Sequence, residues 1–333
     1  MEKQLGADAI ENGFIAIGWP EMGDLSNLPN DRASIKELLS QHYPDAKEAT
    51  KRIYAGILLR FFHTIKVGDF VVYPSKHDRM VNIGKVIEQA RYSPETSVNF
   101  PNQRKVDWVA SFPRSDFSQE VLNEIGAYIT IFSIQKHPNV FLTIVNKSLN
   151  AGMKSDESLE LSAEDDSLDD DTVVENISRQ TRETTSDFLI KRLSQKLNGY
   201  EFEDFIANIL VCMGYTARVT AKSGDGGVDI IAHTDELGFV PPIIKVQCKK
   251  ITGQTSEPEV SQLLGTLGEG EFALFVNLGS YSKPARQLER NRAKLRLIDG
   301  EQLVELVLEN YDQIAARYRT LLPLTRIYVP DIT

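Results

Sequence analysis

In the run Ile243-Ile-Lys-Val-Gln-Cys-Lys249 apolar and polar side chains alternate, the pattern of a strand with one face in a core and the other lining a polar surface. Ile244, Val246 and Cys248 fall on one side; Lys245, Gln247 and Lys249 fall on the other. Earlier in the chain Asp229 interrupts the apolar run Val228-Asp-Ile-Ile-Ala232, where an ionised carboxylate is costly unless something pairs with it. A divalent metal ion is the natural partner. A hard cation held by a carboxylate and amide oxygens can bind a phosphate and lower the pKa of a bound water, while an ammonium beside it stabilises the charge that gathers in an in-line transition state. Asp229, Gln247 and Lys249 therefore point to metal-assisted phosphodiester hydrolysis. Gln247 offers only a neutral oxygen, so a second carboxylate would strengthen the metal site. Glu203 is the candidate, because it lies off the apolar stripe of its helix and near that helix's N-terminus. Taken singly, Asp229 reads as a strand-end turn residue and Lys249 as an edge lysine; the joint spacing and the flanking glycines favour the site.

The elements that must hold these residues are legible around them. Phe202, Phe205, Ile206, Ile209 and Leu210 form one stripe of a helix from Glu201 to Met213, stopped by Gly214. A further helix, about Phe188–Lys196, precedes it. Strands are expected at Tyr215–Thr220, Val228–Ala232, Ile243–Lys249, Phe272–Asn277 and Leu295–Ile298, and helices at Pro258–Leu267, Lys283–Lys294 and Glu301–Glu309. Strands that alternate with helices imply an α/β sandwich with a mixed sheet.

The loop Lys222-Ser-Gly-Asp-Gly-Gly227 reads as a tight turn that delivers Asp229; as a phosphate cradle it lacks the Gly-Lys-Ser/Thr ending. Gln262 is either a helix contact or a residue lining the site. Arg286 and Arg290, on a helix that also carries Lys283, Arg292 and Lys294, either meet DNA phosphates or are simply solvated. His233 is a strand residue with no assigned role.

Gly199-Tyr-Glu-Phe-Glu203, Gly214-Tyr215, Ser223-Gly-Asp-Gly-Gly-Val-Asp229-Ile-Ile231, Val246-Gln-Cys-Lys249-Lys250, Val260-Ser-Gln262-Leu-Leu-Gly265 and Leu297-Ile-Asp-Gly300 resemble, in order, the Mrr-type catalytic domain of the PD-(D/E)XK superfamily, over residues 199–311. The resemblance implies a restriction-endonuclease-like fold, a Mg2+ cofactor for which Mn2+ can substitute, and an active site of Glu203, Asp229, Gln247 and Lys249, the first three holding the metal. Glutamine in place of the superfamily's usual glutamate is itself a trait of this type. The stretch Asn277-Leu-Gly-Ser280 departs from the usual Thr- or Ser-containing turn, which leaves a substrate contact there open.

In the first part of the chain the strand-like runs Phe14–Gly18, Phe70–Tyr73, Ile83–Ile87, Val106–Val109 and Tyr128–Ser133 surround one helix, about Ala46–Phe62. This pattern, over residues 12–135, resembles a PUA/EVE-like β-barrel, mixed but mostly β. The resemblance implies a reader of nucleic acid that takes a modified base out of the stack. Trp19, Tyr73 and Trp108 are the aromatics that would face it, or else ordinary core.

Charge marks the boundary. The formal net charge is −10, and ten acids with no Lys or Arg fall between Ser155 and Ser178, so the acidity belongs to that segment and not to either flank. Residues 151–185 read as a disordered tether, or as a nucleic-acid mimic that covers a basic site. The expected organisation is residues 1–150 as a recognition domain, 151–185 as linker and 186–333 as a nuclease domain. Two cysteines without zinc spacing, and the lack of an apolar stretch of membrane-spanning length, fit a cytoplasmic protein. The combined expectation is a type IV-like restriction or defence endonuclease that acts on DNA, modified or foreign, as a homodimer or higher assembly. The competing classes are a non-catalytic nucleic-acid-binding module and an effector nuclease gated by a small nucleotide or a protein bound to the N-terminal domain.

Overall fold

The structure, a computed structural model, describes residues 3–76, 78–126, 130–149, 170–220, 227–235, 238, 240 and 242–326. The chain divides into two compact units, with the boundary between Thr181 and Arg182. Among the described residues no helix is long and apolar enough to cross a membrane.

The N-terminal unit comprises α1 (Lys3–Glu11), β1 (Phe14–Ile17), α2 (Arg32–His42), α3 (Glu48–Leu59), β2 (Phe70–Pro74), β3 (Met80–Val86), β4 (Arg91–Tyr92), β5 (Asn102–Pro113), α4 (Gln119–Ile125) and α5 (Pro138–Leu149). The strands pair antiparallel in the order β1-β5-β3-β2, with β4 also on β5. β5 is long enough to pair with β1 through its first residues and with β3 through the rest. Its register on β3 slips between Ile83 and Gly84, and Gly84 lies so close to β5 that a Cβ would stand 2.3 Å from Val106 Cγ1. The described strands therefore make a bent, open sheet, half of the expected barrel. Of the expected strand Tyr128–Ser133, residues 130–133 are irregular, and Tyr128 and Ile129 lie outside the described residues. Helices that the strand pattern did not announce, α2 and α4, start at Asp31 and Ser118, whose side chains accept from Ser34 N and Val121 N. α3 continues into a π-turn, Arg60–Thr64, and the fully buried Arg104 takes up carbonyls there: Nε donates to Phe61 O at 2.7 Å and Nη2 to Phe62 O at 3.2 Å.

α6 (Asp170–Lys196) crosses the boundary between the units. The first part of the expected disordered linker lies outside the described residues, and from Asp170 on the chain is helical instead. Tertiary burial accounts for the difference, because Leu189, Ile190 and Leu193 dock into the C-terminal core and stabilise a helix that composition alone would not.

The C-terminal unit continues with α7 (Gly199–Cys212), β6 (Thr216–Val219), β7 (Ile230–His233), β8 (Ile243–Lys249), β9 (Gln254–Thr255), α8 (Glu257–Leu264), β10 (Glu271–Asn277), β11 (Ser280–Tyr281), α9 (Lys283–Asn291), β12 (Leu295–Ile298), α10 (Gly300–Glu309) and α11 (Ala316–Leu321). The sheet order is β12-β10-β8-β7-β6; β8, β10 and β12 run parallel and β7 and β6 antiparallel to their neighbours. One face carries Ile230, Ala232, Val246 and Val276 against α6, α7 and α10. The other carries Ala273, Phe275, Leu295 and Leu297 against Val260 and Leu263 of α8 and Ala285 of α9. This is the mixed α/β sandwich that the alternation of elements predicts.

Candidate active site

β7 and β8 bring the proposed chemistry together. Ile230 stands opposite Val246 and Ile231 opposite Lys245, so one step back along β7 puts Asp229 alongside Gln247, on the side of the sheet that α8 and α9 cover. Asp229 N donates to Val246 O at 2.8 Å, and Asp229 Oδ2 accepts from Cys248 N at 2.6 Å. Thr220 secures the same strand from β6's end, with Oγ1 donating to Val228 O at 2.6 Å. Burial pushes the Asp229 carboxyl above its usual range, and the Cys248 amide offsets part of that.

Gln247 presents a buried Oε1 with no hydrogen-bond partner in the protein. Gly227 closes over the same amide: its φ is 87°, and a Cβ there would stand 3.0 Å from Gln247 Nε2. The glycine thus meets two demands at once, a left-handed backbone and no side chain. The remainder of the loop Lys222–Gly226 lies outside the described residues. An anionic oxygen beside an unsatisfied neutral oxygen, under a glycine turn, is a donor set that fits a hard divalent cation.

Lys249 is next on the same side of β8. Its ammonium pairs with Glu259 Oε1, and Glu259 Oε2 accepts from Ser256 N at 2.8 Å and Ser256 Oγ at 2.7 Å. Sequence reasoning missed Glu259. The spacing Ser256-x-x-Glu259 marks a helix start, which the residues show, but not which lysine the carboxylate then reaches. Lys245, the third polar residue on this side, is spent at the strand's other end on Glu271 at 2.7 Å and Thr266 O at 2.6 Å. Lys250 donates to Ser194 O at 2.6 Å, near the end of α6, where a helix carbonyl needs a partner.

Glu203 is placed nearby, close enough to act on β8. It is half-buried on α7, and both it and Asp229 push the Cys248 thiol up, after burial, which puts it in the neighbourhood of β8. Among the described residues no three His, Cys, Asp or Glu side chains cluster as a metal set. α7 packs on the sheet face that carries Val246 and Cys248, the side away from Gln247 and Lys249.

Beside Lys249 in register lies Asn277, fully buried. Asn277 Nδ2 donates to Thr255 Oγ1 at 2.6 Å and to Ser280 O at 2.9 Å, while Asn277 Oδ1 and Ser280 Oγ have no partner in the protein. The stretch left open as a substrate contact is thus an interior clasp between β9 and β11.

The other sequence candidates fall elsewhere. Gln262 is exposed on α8, whose Val260 and Leu263 point inward. Arg286 is turned onto its own unit: it pairs with Glu289 at 3.0 Å and with Asp299, donates to Leu297 O at 3.0 Å and lies over the Tyr281 ring. Gln302 Oε1 accepts from the same guanidinium at 3.4 Å, so Arg286 is engaged with its own unit while 27% of its side chain stays exposed. Arg290 is exposed near the end of α9 that leads into the start of β12. Through β10 the start of β12 is level with Lys245, four residues or roughly 13 Å along the sheet from Lys249. In the N-terminal unit Tyr73 and Trp108 face each other, ring centroids 6.2 Å apart, and Trp108 Nε1 donates to Ala9 O at 3.1 Å. Trp19 stands apart, edge-on to Tyr54 at 5.2 Å with a left-handed backbone at φ 63°. The three do not form one cage.

The restriction endonuclease family matches residues 194–307, the span that contains every member of this group. Residues 194–307 are a restriction endonuclease domain of the Mrr type. The type IV methyl-directed restriction enzyme EcoKMrr of Escherichia coli (strain K12) is 26% identical over 218 residues, 63% of this chain and 67% of that protein. Residues 1–135 match a domain of unknown function (DUF8426). Among solved structures, the MspJI restriction endonuclease in complex with a 27-mer oligonucleotide is 18% identical with a TM-score of 0.32. The DNA modification-dependent restriction endonuclease AspBHI is 17% identical with a TM-score of 0.35. Each covers 73% of this chain, and the chain spans under six tenths of their length, 58% and 59%. The Mrr-type domain and the group around Asp229 therefore coincide in sequence.

Proposed function

We propose that the chain is a metal-dependent endodeoxyribonuclease of restriction or defence type, which cuts modified or foreign DNA with its Mrr-type domain. The observation that carries this reading is the Asp229 carboxylate held to Cys248 N beside the unpartnered Gln247 Oε1, with Lys249 next along the same side of one strand. Asp229 and Gln247 would hold Mg2+ or Mn2+, and Glu203 would support the site from α7. When bound, the metal supplies Lewis-acid polarisation of the scissile phosphate and an acidified water. Lys249 places its ammonium beside the attacked phosphate and stabilises the added negative charge.

Recognition of the DNA is assigned to the N-terminal unit, where the Tyr73 and Trp108 rings, tilted 39° to each other, are the aromatics that would meet a base. Two copies would act together, since one such site cuts one strand. The deciding experiment is cleavage of a panel of unmodified, cytosine-methylated and adenine-methylated plasmids with Mg2+ or Mn2+. Nicking or linearisation that Lys249→Ala abolishes supports the reading. No cleavage of any substrate by the full chain, with no change in cells between wild type and Lys249→Ala, overturns it.

A further inference from the structure

We propose that Glu259 is a positioning residue of this site, which sets the place of the Lys249 ammonium. The inference rests on the nuclease reading above for its consequence, but not for its geometry. A lysine on a strand end has four rotatable carbons and no preferred place for its charge. Here the ammonium meets Glu259 Oε1, while Oε2 of the same carboxylate is already committed to Ser256 N and Ser256 Oγ. The carboxylate therefore cannot follow the lysine; the lysine comes to the carboxylate.

The anchor is itself fixed. Val260 and Leu263 of α8 are fully buried against the Phe275 side of the sheet. Thr255, just before the anchoring serine, is held by Asn277 Nδ2 and by Ser282 N, which donates to Thr255 O at 2.9 Å. A Cβ on Gly279 would stand 1.9 Å from Gly253 O, so the segment between Lys249 and Ser256 packs closely on the β10–β11 turn. The path from Asn277 through Thr255 and Ser256 to Glu259 returns to Lys249, the residue beside Asn277 in register. Lys249 keeps 37% of its side chain exposed, so the brace does not bury the residue.

Glu259 has a second job, as the residue that reaches back to Ser256 at the start of α8. Glutamine serves that job equally well and cannot serve the first, because it carries no charge for the ammonium. Glu259→Gln in the full chain separates them. Expected are an unchanged melting temperature, unchanged affinity for the plasmid that wild type cuts, and a single-turnover cleavage rate roughly 10- to 100-fold lower. An unchanged rate reduces Glu259 to a helix cap, and a faster one makes it a brake; either overturns the proposal. A second measurement is independent of cleavage. The Lys249 ammonium, assigned by its loss in Lys249→Arg, is expected as a slowly exchanging signal in 15N NMR of wild type and as a missing one in Glu259→Gln. Its absence from wild type overturns the brace even if the protein cuts DNA, and its presence supports the brace even if no tested DNA is cut.

Discussion

The main-chain amide of Cys248 donates to Asp229 Oδ2 at 2.6 Å, so a carboxylate at the start of one strand is tied to the backbone of the next, between Gln247 and Lys249. The bond fixes the distance from the anion to both neighbours without any side chain of the site having to contribute. It leaves the second oxygen, Oδ1, for another partner.

Asp229→Asn keeps the shape and removes the anion. Saturable Mn2+ binding by titration calorimetry is expected in wild type and is expected to vanish in this variant, while Gln247→Ala weakens it. Cleavage should fall at least ~100-fold in Asp229→Asn, the scale of losing one main electrostatic element. The cost of burying the charge also predicts that metal-free Asp229→Asn melts no lower than wild type, since burial already disfavours the ionised carboxyl. Full metal binding by the asparagine variant would show that the cation is held elsewhere.

Gly227→Ala tests the turn over Gln247. A left-handed φ of 87° and a contact of 3.0 Å between the new Cβ and Gln247 Nε2 make the change costly twice over. A loss of about 1–2 kcal/mol in unfolding free energy is expected by denaturant melts. Because the displaced group is the amide itself, metal affinity should fall as well. Wild-type metal affinity together with wild-type stability would mean that the turn moves aside freely.

How much of this was legible beforehand differs between the two units, and for physical reasons. In the C-terminal unit the alternation in Ile243–Lys249 and the stripe on α7 repeat with clean periods, because each element buries one face on a large sheet. Asp229, Gln247 and Lys249 were legible for the same reason, being polar where the period demanded one face. Glu259 and Asn277 were not, since their roles depend on which strands lie side by side, and β8 meets β10 only through a crossover. In the N-terminal unit the sequence pattern predicts a barrel because short strands and glycines look alike in a barrel and in an open sheet. The bend at Gly84 depends on the contact with Val106 and Trp108 across β5, which no local pattern reports.

Arg286 and Arg290 sit four residues apart on α9, and the structure gives them opposite fates. Arg286 bridges Glu289 and Asp299 and donates to Leu297 O, with both sides of its Asp299 pair about a quarter exposed, at 27% and 24%. Arg286→Ala strands these acceptors and is expected to cost roughly 1–3 kcal/mol of stability. Arg290→Ala should leave the melting temperature where it is. Any effect on DNA binding should show as a shallower dependence of affinity on salt, by about one ion, with the cleavage rate at saturating protein unchanged. Equal melting temperatures for the two variants would undo the assignment of Arg286 to the fold.

Tyr73 supplies a pH test of the N-terminal unit. Burial, with Asp78 adding to it, pushes its hydroxyl up to about 12 from 10.0. The sign follows from which state holds the proton: the folded form keeps it to higher pH than the unfolded form does. The stabilisation is therefore fully present below pH 10 and is lost as pH rises through about 12. Tyr73→Phe has no proton to lose, so the stability of wild type relative to this variant should decline across that window and stay flat below it. Urea melts between pH 8 and 12 measure the difference, and absorbance near 295 nm should lose one late-titrating tyrosine in the variant. A constant gap would place the hydroxyl in water, and with it the open edge of the Trp108 pair, which is where the proposed function puts a base.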